Sequence, residues 1–476
     1  MNKMKVLLAI ALAAFVAAPA FAETQNVKVS GSLDMYAFLR SNYDLQNKND
    51  AGAQPVGSVY QGATHASSTA NRQESDSFLF SITQLQVAAN LTDNVSTVID
   101  LINQRDWNNS ANAWNGTGAV GAPQTVNTNE FDVLVDLAYV QMKEIFYSPL
   151  TLTIGRQNLV FGRGFIVGWN PQNPENTFEA TEFTQIQSFD AIRATLDFSP
   201  WTLDFVYSNI KGGSQNASDD KDLYIAYLSY KFAEYNAVAE GYYTGEFDKN
   251  TFAGVTGSFD NSTDTLGGRV QFDPISQITL GAEAAYQFGE YRVLITDPKR
   301  SRDAWAVDIF GEYHWDNTWK PMVGLEYTYL SGENDLSSSS SSYGSWNGNY
   351  RLPVYGWIHD YLNVYYTSGS PSGQPSGQNQ QAIELYGSIK PLSDLMLSAQ
   401  YYHFWATDTM HATPAVPTTA TVSDDLGDEL DTLVTYNYTA DVTFNFYADW
   451  FFPGNAYTSP FDAVASQYIS EVKVTF

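Results

Sequence analysis

The chain has no cysteine, which excludes disulfides, thiol nucleophiles, thiolate-held zinc, iron–sulfur clusters and covalently attached c-type haem. A loop-rich exported protein without disulfides needs some other closed framework. Cations are scarce as well. Only 24 Lys and Arg stand against 52 Asp and Glu, a formal net charge of -28. Binding to nucleic acid requires a basic footprint, so no nucleic-acid partner is expected. Beyond residue 22 no apolar run approaches the roughly 20 residues that a spanning helix needs. A chain of this kind crosses a bilayer only as a closed barrel, in which every backbone group is paired.

What is present fits that alternative. Aromatic residues make up 15% of the chain, beside 33 glycines. The N-terminus reads Met1-Asn2-Lys3-Met4-Lys5, then an apolar run to Val16, then Ala20-Phe21-Ala22. That is the pattern of a secretory signal peptide over residues 1–22, with cleavage expected after Ala22. From residue 27 onward the dominant signal is alternation with a period of two. Val27, Val29, Gly31, Leu33, Met35, Ala37 and Leu39 take one face, and Lys28, Ser30, Ser32, Asp34, Tyr36, Phe38 and Arg40 the other. The same division recurs from Ile278, from Trp305 and from Val442, with the charges almost wholly on one parity. Apolar residues facing lipid and polar ones facing water inside is the signature of a transmembrane barrel.

The connections alternate in length. Short ones lie at 92–94, 147–149, 199–200, 233–235, 273–275, 316–318, 391–393 and 438–439. Long polar ones lie near 41–77, 106–129, 158–188, 209–221, 245–265, 289–303, 331–380, 406–429 and 453–464. Eight short turns, each joining two strands, with one further strand at either end, predict an all-β fold: one antiparallel barrel of 18 strands over 23–476. The strand-like piece at 361–366 would make an odd number and is assigned to the long surface loop at 331–380. Short turns face the periplasm in this class and long loops face outside. The chain stops at Phe476, after Tyr468, Val472 and Val474 on the same outward face. This resembles the terminal strand by which outer-membrane barrels are recognised for assembly. The partners expected are therefore outer-membrane lipid, the barrel-assembly machinery acting on Phe476 and a polar solute; a periplasmic partner at the short turns is left open.

No motif points to catalysis or a cofactor. The glycines of Gly155–Gly164 lack the dinucleotide spacing and are followed by no helical pattern. Asp308, Glu312 and His314 share a strand, yet no nucleophile is poised by a base. Asp424, Asp425, Asp428, Glu429 and Asp431 form an acidic run without the spacing of a calcium loop, so it reads as solvated. The tracts 337–342 and 368–380 are low-complexity and polar, and read as parts of the surface loop.

Four separated elements do resemble one family. They are Gly155-Arg156-Gln157 with the residues that follow, Phe189-Asp190-Ala191-Ile192-Arg193, Gly427-Asp428-Glu429-Leu430-Asp431 and Phe451-Phe452-Pro453-Gly454. Their order and approximate spacing are similar to those of the alginate-export family of outer-membrane barrels. The resemblance implies an 18-stranded channel for an anionic polysaccharide, guided by arginines. Carried over by motif, these are Arg156 and Arg193. Parity points Arg193 into the lumen, whereas Arg156 shares the parity of Leu152 and Ile154 unless a bulge at Gly155 switches it. Other candidates for the bore are Arg40, Arg269, Asp136, Asp197, Glu240 and Glu283. Guanidinium suits a carboxylated sugar because its planar fork bonds a carboxylate bidentately. The inward set is nevertheless mostly acidic, with Asp34, Asp204, Asp308, Glu326, Glu384, Asp431 and Asp449 among it, and acidic rings favour cations. Two rival readings follow: a general or cation-selective porin, and a barrel that merely anchors surface-binding loops.

Overall fold

The computed structural model describes residues 26–43, 45, 75–107, 133–147, 149–170, 180–212, 220–251, 258–292, 298–333, 341–352, 356–360, 379–408, 423–457 and 462–476. The proposed signal peptide and the piece at 361–366 lie outside them. The strands are β1 (Asn26–Ser41), β2 (Ser75–Thr92), β3 (Val95–Asp106), β4 (Leu134–Met142), β5 (Leu150–Gln157) and β6 (Phe189–Asp197). Then follow β7 (Trp201–Lys211), β8 (Lys221–Lys231), β9 (Val238–Thr251), β10 (Ser258–Ile275), β11 (Ile278–Tyr291), β12 (Arg300–His314) and β13 (Met322–Leu330). β14 (Ser342–Tyr343) is a two-residue piece, and β15 (Gln380–Leu392), β16 (Leu395–Trp405), β17 (Asp425–Asn437), β18 (Val442–Pro453) and β19 (Ala465–Thr475) complete the series.

Each wall strand pairs antiparallel with its neighbours, and β1 pairs with both β2 and β19, so the sheet closes. β13 pairs directly with β15. The two-residue β14 is therefore no part of the wall, which holds 18 strands among the described residues. β14 lies off the wall and runs parallel to the start of β12, Ser301 beside Ser342 and Arg302 beside Tyr343. At the seam, Gly31 and Phe476 exchange two backbone hydrogen bonds of 2.9 and 3.0 Å. A Cβ on Gly31 would stand 2.7 Å from the Phe476 ring and 2.5 Å from the Gln84 carbonyl oxygen. The terminal aromatic therefore lies against a place where no side chain fits.

The alternation read from the sequence sets the two faces. Outward Leu39, Leu266, Trp305, Ile309 and Phe446 are half-exposed, while inward Asp34, Glu283, Asp308, Asp431 and Asp449 are buried. Apolar exposure on this scale is a liability in water and a requirement in lipid. Phe146, Phe198, Trp201, Tyr235, Trp319 and Tyr438 are exposed and all stand beside short turns. They form the aromatic belt expected at one membrane interface.

Two expectations need correction. The hairpin expected to be a loop over 245–265 is paired through most of that range, Glu246 against Thr263 and Thr251 against Ser258. Ladder hydrogen bonds need no apolar face, so pairing continues into water beyond the bilayer. At about 3.3 Å per residue, the 18 residues of β10 are far longer than a membrane strand requires. The second correction is larger. The loops at 158–188 and 331–380 do not lie on the surface where they are described. Leu159, Phe161, Phe165 and Val167 of the first, with Trp346 and Tyr350 of the second, form one buried cluster with lumen-facing Val206, Leu223, Ile225, Tyr227 and Tyr242. The loops also bond each other, Gly168 N–H to the Tyr350 carbonyl at 2.7 Å and Leu352 N–H to the Gly164 carbonyl at 2.9 Å. Burying these large aromatics offsets the entropy of ordering the loops.

Candidate functional site

The site is the bore, built from inward side chains of the wall and from the two infolded loops. On the lumen side three rings lie flat over cross-strand glycines: Tyr242 over Gly267, Phe310 over Gly281 and Tyr386 over Gly324. At Gly281 an added Cβ would stand 2.1 Å from the Phe310 ring. The missing side chain is what lets that ring lie down.

The candidate cations are all engaged. Arg193 Nε donates to Asp204 at 2.7 Å, and Thr195 donates to the same carboxylate. Arg269 pairs with Glu240 at 2.7 Å and also donates to Gln271. Arg40 is bound by Glu182 of the first infolded loop and lies 4.4 Å from the Tyr43 ring centre. Burial pushes the Glu182 carboxyl above its usual pKa, and the Arg40 guanidinium pulls it part of the way back. Arg156 pairs with Asp190 at 3.3 Å. Gly155 has the left-handed φ of 124°, yet the β5–β6 register runs without a shift. Arg156 therefore keeps the parity of Ile154 and Ile192, whereas Thr153 and Arg193 share the lumen face, and the motif-derived placement of Arg156 in the bore is corrected.

Among the candidate acids, Asp136 is buried and accepts from Ser188 at 3.0 Å. Glu283 accepts from Tyr242 at 2.7 Å. Asp197 is exposed and accepts the Ser199 N–H at 3.0 Å, so it caps the short turn between β6 and β7. The expected solvated acidic run is corrected too, because β17 carries it into the wall. Asp428 faces His403 at 2.7 Å and Asp425 accepts from Asn455, while Glu429 and Asp431 are buried. His314 lies 3.0 Å from Glu312, whereas Asp308, four residues before Glu312 on the same strand, is held by Arg163 and Thr328.

Two features were not foreseen. The first is Arg163, at the tip of a turn in the β5–β6 loop. It reaches across to Asp308 at 3.1 Å and Glu326 at 2.7 Å, with its guanidinium carbon 4.1 Å from the centre of the Phe310 ring. Burial works against its charge, but Glu326 and then Asp308 raise its pKa overall. The second is the short segment 356–360 of the β13–β15 loop. Glu429 accepts the N–H groups of Ile358 and His359, each at 2.8 Å, and Asp431 accepts that of Trp357 at 3.2 Å. Trp357 stacks on Phe183 of the other loop at 4.6 Å. His359 is buried, lies 3.1 Å from Gln380 Oε1 and stacks on Phe404 at 3.8 Å. Burial drives its pKa down to about 3.

Among the described residues, Glu283, Glu384, Glu429, Asp431 and Asp449 make no ion pair with Arg or Lys. Their bonds go instead to Tyr242, to Gln400, to backbone N–H groups and to Gln467. The bore therefore carries an excess of carboxylate after every candidate arginine has been matched.

A closed 18-stranded barrel with an apolar outer wall, an aromatic belt and a charged bore is an outer-membrane channel. This chain belongs to the alginate-export family, whose model, described as alginate export, matches residues 60–469. Two solved structures from Pseudomonas aeruginosa are similar in fold. OccK2 in complex with glucuronate has a TM-score of 0.51 and 12% identity over 95% of this chain and 98% of its own. OpdK with vanillate has a TM-score of 0.52 and 10% identity over 95% and 99%. No curated protein matches the sequence.

Proposed function

We propose that this chain passes small polar solutes, saccharides among them, by passive diffusion, and that its bore favours cationic and uncharged solutes over anions. The observation that carries this is the unmatched carboxylate excess of Glu283, Glu384, Glu429, Asp431 and Asp449, beside arginines that already hold carboxylates. A second reading, passage of an anionic saccharide, is favoured by the family's description and by the glucuronate held by the OccK2 neighbour. It would require Arg193 or Arg269 to exchange Asp204 or Glu240 for the solute's carboxylate. The reading of the loops as surface-binding elements loses support, because Trp346, Tyr350 and Trp357 are turned inward.

The test is single-channel recording in a planar bilayer under a KCl gradient, followed by addition of an oligouronate. A cation-side reversal potential with no uronate block is expected. An anion-side potential, with block that disappears in Arg193→Ala, would establish the second reading instead.

A further inference from the structure

Arg163 occupies its place in an unusual way. It projects from a turn closed by the Gly164 N–H on the Phe161 carbonyl at 2.9 Å, between two glycines with left-handed φ of 57° and 78°. The three groups that receive it belong to the wall. Asp308 and Phe310 sit on β12 and Glu326 on β13, and Phe310 and Glu326 are direct cross-strand partners. Two carboxylates beside an aromatic face match a planar cation on every count: a fork of donors, a charge and a π-surface. The wall also has carboxylate to spare here. Glu283 is the cross-strand partner of Asp308, and Glu384 that of Glu326. The Arg163 side chain remains 34% exposed, so its contact is open to the lumen on one side.

We propose that Asp308, Glu326 and the face of Phe310 form a binding site for the guanidinium group of a permeating solute, with Arg163 as its tethered competitor. The inference rests on the cation-favouring reading of the bore. A solute guanidinium takes the two carboxyl groups and the ring as Arg163 swings into the lumen. Compact ammonium groups hold the carboxylates but do not stack, so they bind more weakly. The tether presents Arg163 at an effective concentration in roughly the millimolar range, which sets the solute level needed to displace it.

The experiment measures block of the potassium current through the full chain by guanidinium chloride, with methylammonium chloride as the comparison. Arg163→Ala is expected to lower the half-blocking concentration of guanidinium by roughly tenfold, the scale of one bond to a charged group. Asp308→Asn should abolish the block in either background. Phe310→Leu leaves both carboxylates in place and should weaken block by guanidinium more than block by methylammonium. If reversal stays on the cation side and Arg163→Ala leaves guanidinium block unchanged, the competitor role is overturned while the cation-favouring bore stands. Anion-side reversal would overturn the bore reading itself.

Discussion

The docked segment 356–360 is expected to make the bore sensitive to acid through one imidazole. His359 is enclosed by Gln380, Phe404 and Phe451, with the Arg351 charge acting on the ring and Glu429 on its backbone N–H. Its pKa is about 3 in place, against about 6.5 for a histidine in water. The folded value is the depressed one, so the stability it lends to docking is complete above about pH 6.5 and is lost as pH falls towards 3. The loss amounts to roughly 1.4 kcal/mol near pH 5.5 and roughly 3 kcal/mol near pH 4.5. The second figure is comparable to two hydrogen bonds of the kind that hold the segment to Glu429. Undocking removes Trp357 and Ile358 from the lumen wall, so single-channel conductance should rise as pH is lowered from about 7 to about 4.5. His359→Gln should flatten that rise. Identical titrations of the two proteins would refute the argument, because the wall carboxylates, common to both, would then account for all of the response.

Three further outcomes follow from the packing. Gly31→Val should destabilise the closed barrel by about 1–3 kcal/mol, since its Cβ meets both the Phe476 ring and the Gln84 carbonyl; heating followed by gel mobility in detergent reads this out. Arg193→Ala leaves buried Asp204 without its cation and should cost about 3 kcal/mol, and adding Asp204→Asn should recover most of it in the same assay. A double variant no more stable than the single one would refute the pairing. Trp346→Ala empties the centre of the loop cluster and should cost docking about 3–5 kcal/mol, raising conductance without lowering the barrel's unfolding temperature.

The barrel was legible because its wall obeys one rule along its whole length. Leu39 beside Arg40, or Ile309 beside Asp308, assigns a face at each step, and a slip of one residue would put charge into lipid. The even strand count of 18 holds, since β13 pairs directly with β15, while the piece at 361–366 lies outside the described residues. The site was legible only where it belonged to that wall, as with Arg193, Arg269 and Glu283. Loops have no period, so nothing local distinguishes an aromatic on the surface from one turned inward. Phe161, Phe165, Trp346 and Tyr350 were such residues. Their size was the available clue, since a loop that remained in water would gain nothing from them. Arg163 was hidden for the same reason, because its partners are some 145 and 163 positions away in sequence. Arg156 illustrates the converse: the motif suggested the bore, but the parity argument against it was the better guide.

The rings laid over Gly267, Gly281 and Gly324 bear on how such a channel changes calibre. An inward tyrosine or phenylalanine would ordinarily stand up from the sheet and narrow the passage. Here each becomes a thin lining, and the room it gives back belongs to a glycine on the next strand. Width is thus adjustable without altering strand number or tilt: one methyl group added at any of these positions lifts a ring into the path. Relatives that share this barrel but admit different cargoes could diverge by exchanging glycine for alanine, long before any charge in the bore is replaced.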